Sequence, residues 1–239
     1  MIKKSIEISG QTLTLETGRM ARQASGSVLV TYGETVVLVT STANPGVEPN
    51  RGFFPLTIDY REKFYASGKI PGGFFKREAR PSEKEIIACR ITDRPLRPLF
   101  PKGFYNETQV FISVLSFDGE NNGDILGTIG ASASLAISDI PWDGPVASVK
   151  IGRINGELIA NPTNTLMEES DLSVIISGTK DSIVMVEGEA DFISEKDFLK
   201  VIQFAHKVIK DIVKLQEELV EICGKNKREV MVPEANNEL

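Results

Sequence analysis

Cysteine, histidine and tryptophan are scarce in this chain. Two cysteines among 239 residues, Cys89 and Cys223, exclude a disulfide scaffold and suit a reducing compartment. Neither lies in a Cys-x-x-Cys pair or beside a histidine, which argues against a zinc site. His206 is the single histidine and sits one position off an apolar helical stripe, so a structural role is expected of it. Cys89, with no histidine near it in sequence, reads as a packing residue. Trp142 is the single tryptophan and reads as a turn aromatic packed on the domain. No apolar run approaches the roughly 18–20 residues that span a bilayer. No apolar signal core or Arg/Ser-rich transit segment follows Met1, so no membrane association and a cytoplasmic location are expected. No Walker-type or dinucleotide glycine fingerprint appears, which weakens any reading as a small-molecule phosphate enzyme. Repeats and low-complexity tracts are also missing.

What is present is an uneven distribution of charge. The chain carries a formal net charge of -6, yet residues 61–102 hold eleven Lys/Arg against five Asp/Glu. An acidic protein with one concentrated basic segment points to a local anion site. Hydrophobic residues make up 41% and charged residues 25%, an ordinary globular balance with enough material for a substantial core.

The hydrophobic pattern predicts strands over 5–8, 12–16, 26–32, 35–42 and 53–60, with Pro55 marking the last as an edge or bulge. Residues 66–75 read as a glycine- and proline-rich loop ending in two aromatics. A helix is expected from Ser82, which forms a capping box with Glu85, to about Asp93, where Pro95 and Pro98 should stop it. A strand over 108–117 precedes a buried helix over 123–138, rich in glycine and alanine. Hairpins follow over 146–160, around Asn155-Gly156, and over 171–187. A long amphipathic helix runs from its Ser194 cap through Cys223, and Gly224 ends it. The tail from Lys225 is expected to be loose. The sum is one α+β domain with a mixed sheet, three principal helices and a long C-terminal helix.

The chemistry concentrates in Phe74-Phe75-Lys76-Arg77-Glu78-Ala79-Arg80-Pro81, followed by Arg90, Arg94 and Arg97. Arg90 and Arg94 stand four apart and share a helix face. Guanidinium forks match phosphate oxygens. Aromatics beside cations suit single-stranded nucleic acid, where each stacked base contributes about 1–3 kcal/mol. A second reading is equally open on these residues alone. Phe74 and Phe75 could plug a core while the arginines pair with Glu78, Glu83, Glu85 and Asp93.

Several motifs carry a resemblance. They are Leu15-Glu16-Thr17-Gly18-Arg19-Met20-Ala21-Arg22-Gln23-Ala24, Phe53-Phe54-Pro55-Leu56-Thr57, Gly68-Lys69-Ile70-Pro71-Gly72-Gly73 running on into the aromatic-basic segment and Ser82-Glu83, Asp93-Arg94-Pro95-Leu96-Arg97-Pro98-Leu99-Phe100-Pro101, Ile129-Gly130-Ala131-Ser132-Ala133 and Glu187-Gly188-Glu189-Ala190. Together they are similar to the first core domain of the bacterial polynucleotide phosphorylase family. The resemblance implies an RNase PH-like core over 1–223 and the start of a linker over 224–239, toward helical and second core domains.

It further implies a phosphate-dependent 3′-to-5′ exoribonuclease that releases nucleoside diphosphates in mRNA turnover and also runs in reverse. Inorganic phosphate would be the co-substrate, and Mg2+ would sit in the second core. Three chains would form a ring around single-stranded RNA, with proteins of an RNA-degradation complex as candidate partners. By the same resemblance Phe74, Phe75, Lys76, Arg77, Arg80, Arg90, Arg94 and Arg97 are the expected RNA contacts. Catalytic cores of the family carry a phosphate-gripping arginine where this chain has Asp124, and two aspartates six apart where it has Thr165 and Asp171. No catalytic residue and no metal ligand is therefore expected here. The alternative is a non-enzymatic RNA-binding ring subunit of an exosome-like assembly.

Overall fold

Alternating apolar and polar residues build the first sheet, in a computed structural model that describes residues 1–46, 52–73, 78 and 80–230. β1 (Ile2–Ile8) and β2 (Gln11–Thr17) form a hairpin, followed by β3 (Gly26–Tyr32) and β4 (Thr35–Ala43). Ser9 and Gly10, with φ of 48° and 80°, make the left-handed turn between the first two strands. β5 (Leu56–Glu62) and β6 (Thr108–Ser116) complete a six-stranded sheet of order β1-β2-β3-β4-β6-β5. β5 is parallel to β6 and takes the edge, where a strand entered from Pro55 loses no ladder bond. The parallel crossover between them carries α1 (Glu83–Leu96).

The remaining strands form a sheet of their own. β7 (Ala147–Ile154), β8 (Glu157–Ala160), β9 (Leu172–Gly178) and β10 (Ile183–Ala190) pair antiparallel in the order β10-β9-β7-β8. Two sheets thus replace the one mixed sheet expected, because α2 (Gly123–Ile137) lies between them and contacts β3, β4 and β7. Every residue of α2 except Asp124 is buried. α3 (Asn164–Met167) is a single turn, and α4 (Glu195–Cys223) spans 29 residues across β1, β7 and β9. Ser194 caps α4, and Val201, Ala205, Ile209, Ile212, Leu215 and Leu219 form its buried stripe.

Small residues let α2 approach both neighbours closely. A Cβ on Gly130 would lie 2.5 Å from Val39 Cγ2, and one on Gly26 of β3 would lie 1.9 Å from the Ser134 carbonyl oxygen. A closed ring of hydrogen bonds fixes the axial position of α2. Ser132 Oγ donates to Gln216 Oε1 (2.6 Å) and accepts from the Val146 amide (2.9 Å), while Gln216 Nε2 donates to the Val146 carbonyl (3.0 Å).

Two sequence expectations need correction. α1 passes through Pro95 and ends at Leu96, not at Asp93. Pro95 falls in the last turn, where its missing N–H costs a single bond, and both Pro95 and Leu96 are buried. The Arg97 amide then donates to the Asp93 carbonyl and closes the turn. The tail is also not loose over 225–230. The Lys225 and Arg228 amides donate to the Ile137 and Asp139 carbonyls. Lys227 Nζ reaches the carbonyls of Leu135, Ala136 and Ser138 at 2.8–3.0 Å. A lysine at the open C-terminus of α2 supplies donors that the helix itself lacks.

Gly26→Ala should lower the urea midpoint by an amount equivalent to about 2–3 kcal/mol, because the opposing atom is backbone and cannot swing away. An unchanged midpoint would mean that β3 and α2 are not in contact as described.

Candidate nucleic-acid interface

The basic segment starts at the edge strand β5 and runs into α1. Its local order follows from one carboxylate. Glu85 Oε2 accepts from the Ser82 amide (2.6 Å) and completes the capping box, while Oε1 accepts from the Glu62 amide (2.9 Å). Glu85 therefore joins the start of α1 to the end of β5. Burial pushes its carboxyl upward, but the Glu62 and Ser82 amides, the Ser82 hydroxyl and the Arg61 charge outweigh that, and the group is held below its usual range.

A second carboxylate closes the base of the glycine-rich loop. A 3-10 turn, Phe64–Ser67, follows β5, and Gly68 adopts φ 67° beyond it. The Lys69 amide returns to the Phe64 carbonyl at 3.0 Å. From the other end of the loop, Glu78 Oε1 accepts from the Phe64 amide (2.6 Å), and its Oε2 lies 3.5 Å from Lys63 Nζ. Both ends of the loop thus meet at Phe64. Phe74, Phe75, Lys76 and Arg77, expected at the tip, lie outside the described residues.

A groove of about 850 Å³ opens beside this base, lined among others by Phe64, Lys69, Arg80 and Lys84. Its described walls bring Arg61, Lys63, Lys69, Arg80 and Lys84 against Glu62, Glu78 and Glu85. On the exposed face of α1, Arg90 makes no side-chain hydrogen bond or ion pair among the described residues. Arg94, also exposed, pairs with Glu187 of β10.

Arg97, expected to contact RNA, is exposed but already engaged within the chain. Its guanidinium donates twice to the Asp93 carboxylate, at 2.9 and 2.7 Å, and to the Phe54 and Leu56 carbonyls, both at 3.1 Å. Most of the fork is used inside the chain, bracing α1 against the approach to β5. The pairing with Asp93 was one of the two readings the sequence left open.

The three positions that the resemblance sets against catalytic residues, Asp124, Thr165 and Asp171, are engaged separately. Asp124 is half-buried at the first turn of α2 and accepts from its neighbour, the Ile125 amide, at 2.8 Å. Burial pushes its carboxyl up, with Lys150 and Lys84 opposing and Glu62 adding to the shift. Thr165 donates its hydroxyl to Glu120 Oε1 at 2.6 Å and its amide to Oε2 at 3.1 Å. Asp171 is exposed and clasped by Arg153, Nε to Oδ1 at 2.9 Å and Nη2 to Oδ2 at 2.6 Å, which holds its carboxyl below the usual range. Among the described residues no group of three or more His, Cys, Asp or Glu stands ready to hold a metal ion. A hydroxyl already bound to Glu120 and a carboxylate already paired with Arg153 do not fit a divalent-cation site.

Other residues singled out in the sequence have structural partners. His206 Nε2 lies 3.1 Å from the Thr179 carbonyl and ties α4 to the β9–β10 turn. Cys89 accepts the Tyr60 amide at 3.2 Å, and burial raises its thiol above the usual value. Trp142 is buried and donates to the Leu96 carbonyl at 3.0 Å. Sequence reasoning missed Glu78, Lys69 and Phe64. Lys69 and Phe64 carried a local signal, a cation and a ring flanking Gly68, whereas the Glu78 tie to Phe64 spans 14 positions and leaves no periodic trace.

Residues 9–141 match the family model described as 3′ exoribonuclease family, domain 1, and residues 144–208 match domain 2 of the same family. The boundary between the two falls between α2 and β7, where the first sheet gives way to the second. The chain belongs to the 3′ exoribonuclease (RNase PH) family. Relatives within that family include the polyribonucleotide nucleotidyltransferases of Syntrophotalea carbinolica, 54% identical over 97% of this chain, and Geotalea uraniireducens, 52% identical over 99%. That of Thermomicrobium roseum is 55% identical over 99% of this chain. The matched region makes up 33%, 34% and 30% of these relatives, so the chain spans about a third of their length. No helix among the described residues is long and apolar enough to cross a membrane.

Glu85→Gln should cost about 1–2 kcal/mol at pH 7, since one amide donor then faces the new NH2 group. Because the folded carboxyl lies below its unfolded value near 4.3, the wild-type advantage is complete above that pH and vanishes as pH falls through the folded value. Acid titrations of the two proteins should therefore converge as the pH falls through the folded carboxyl's lowered value; parallel curves would remove Glu85 from this role. Glu78→Ala should speed hydrogen exchange at the Phe64 amide and weaken single-stranded RNA binding while leaving the melting temperature within about 2 °C. Unchanged exchange at that amide would show that Glu78 does not close the loop.

Proposed function

We propose that this chain is the RNA-gripping, non-catalytic first core of a phosphate-dependent 3′-to-5′ exoribonuclease, a polynucleotide phosphorylase acting in mRNA turnover. The observation that carries the reading is the contrast between two surfaces. Around the loop base, cations outnumber carboxylates, and the side chains of Lys69 and Arg80 there, and of Arg90 on α1, have no partner among the described residues. At the positions of the catalytic pair, Thr165 is bound to Glu120 and Asp171 to Arg153. A phosphate nucleophile needs positive charge around the transition state, and a half-buried Asp124 opposes it.

In this reading Phe74, Phe75, Lys76 and Arg77 meet the RNA strand at the loop tip, with Arg80, Arg90 and the free edge of Arg94 along the approach. Arg97 acts through position, holding α1 to the strand that precedes the loop. Residues 224–239 begin a connector toward helical and second core domains. Inorganic phosphate and Mg2+ serve the second core, three copies surround the strand in a cytoplasmic ring, and proteins of an RNA-degradation complex dock on that assembly. The 50%-level identity to polyribonucleotide nucleotidyltransferases over nearly the whole chain supports the family reading from which these points are drawn.

The 239-residue chain, incubated with single-stranded RNA, phosphate and Mg2+, should bind RNA with a salt-dependent affinity and release no nucleoside diphosphate. Diphosphate release by this chain would refute the non-catalytic assignment. In the full-length protein, Arg77→Ala and Phe74→Ala should each weaken binding of long RNA about tenfold and reduce processivity without altering the fold. Unchanged affinity and salt slope would refute the interface.

A further inference from the structure

Phe64 is an unusual place for a large ring. It is 48% exposed, yet its backbone is held from both sides. Its amide donates to Glu78 and its carbonyl accepts from Lys69. The ring therefore projects from a fixed point while giving up little to hydrophobic burial. A half-exposed aromatic on a rigid turn is a poor solution for stability and a good one for stacking.

The charges beside it follow a pattern. Each of the three carboxylates in the groove is already occupied. Glu62 is 3.0 Å from Lys84, Glu78 takes Lys63 and the Phe64 amide, and Glu85 takes the Ser82 and Glu62 amides. Arg61 is 2.8 Å from Asp59. That leaves Lys69 and Arg80 as the cations of the groove without a partner among the described residues. Lys69 is tethered to the Phe64 backbone by its own amide, and Glu78, whose carboxylate accepts the Phe64 amide, stands two positions before Arg80 in the sequence. The paired cations keep the wall near neutral, and the two unpaired ones line the same groove as the ring.

From this juxtaposition we propose that Phe64, Lys69 and Arg80 form a nucleotide subsite at the base of the loop, in which a base stacks on the Phe64 ring while Lys69 and Arg80 take the adjoining phosphates. It rests on the RNA-binding reading above and joins Phe64 and Lys69, which the aromatic-basic motif does not contain, to Arg80, which it does. A groove of about 850 Å³ lies within the size range of sites that hold one small ligand, here one or two nucleotide units. Stacking on the ring and charge on the phosphates are indifferent to base identity, so the site takes any base. Its ligand is a nucleotide unit, supplied by an RNA strand or by a free nucleoside diphosphate.

The test uses the 239-residue chain, labelled oligo(A) and oligo(U), and ADP as the free nucleotide. Phe64→Leu should weaken oligonucleotide binding about tenfold, and Phe64→Trp should restore it, with quenching of the added indole on binding. Lys69→Gln and Arg80→Gln should each lower the slope of log affinity against log salt by about 0.7. The Phe64 ring is half in solvent, so thermal unfolding of these variants should stay near wild type and serve as the folding control. ADP binding that is lost in Phe64→Leu would assign free nucleotide to the subsite as well as RNA. RNA binding lost without any ADP binding would assign the strand alone. Wild-type affinity and slope in all three variants, in a chain that does bind RNA, would overturn the subsite while leaving the loop-tip reading intact. Failure of the wild-type chain to bind RNA or ADP at all would overturn both.

Discussion

The fold depends on a helix that has almost no face left for water. α2 is buried along its length except at Asp124, between one sheet in front and another behind. That position admits only small or well-fitted side chains, and it forces every polar group on the helix to find a partner within the protein. The ring of Ser132, Gln216 and Val146 is the outcome. It satisfies a hydroxyl, a side-chain amide and a backbone pair at once, and it couples α2, α4 and the entry to β7. Hydrophobic contacts alone would let these elements slide; the ring sets their register.

Carboxylates do much of the positioning around the basic surface. Glu85 joins α1 to β5, Glu78 closes the loop, Asp93 holds Arg97, and Glu187 holds Arg94. The positive character of the interface is therefore not a simple excess of lysine and arginine. It arises where the acidic residues have been assigned to backbone amides and to other cations, so that a few cations are left over. The same logic acts in reverse at Asp171, whose negative charge is cancelled by Arg153. One surface is left with unpaired positive charge, and at the other no group of three or more metal-binding side chains forms among the described residues.

Local signals in the sequence were read correctly where the physics is local. The Ser82–Glu85 capping box, the Asn155-Gly156 hairpin, the Ser194 cap and the stop at Gly224 all involve neighbours within a few positions. The family motif drew attention to a segment whose described residues Lys69 and Arg80 line the groove. What could not be read was long-range pairing. Arg94 with Glu187, Thr165 with Glu120 and Lys227 with the end of α2 join positions 45 to 93 apart. The overrun of α1 through Pro95 has the same origin, since the burial of Pro95 and Leu96 and the Asp93–Arg97 clamp outweigh a rule about isolated helices. The split into two sheets likewise depends on where α2 inserts, which no strand pattern reveals.

Residues 225–230 return across the body after α4 ends. Lys227 fastens to the last carbonyls of α2, and Arg228 binds Asp139 and the Asn44 carbonyl just beyond β4. A pull transmitted through the polypeptide past Val230 would meet this knot before any slack. The load would fall on the central helix and the first sheet together, so motion on one side of the knot would reach the basal frame of the molecule as a rigid displacement, not as the swing of a flexible tether.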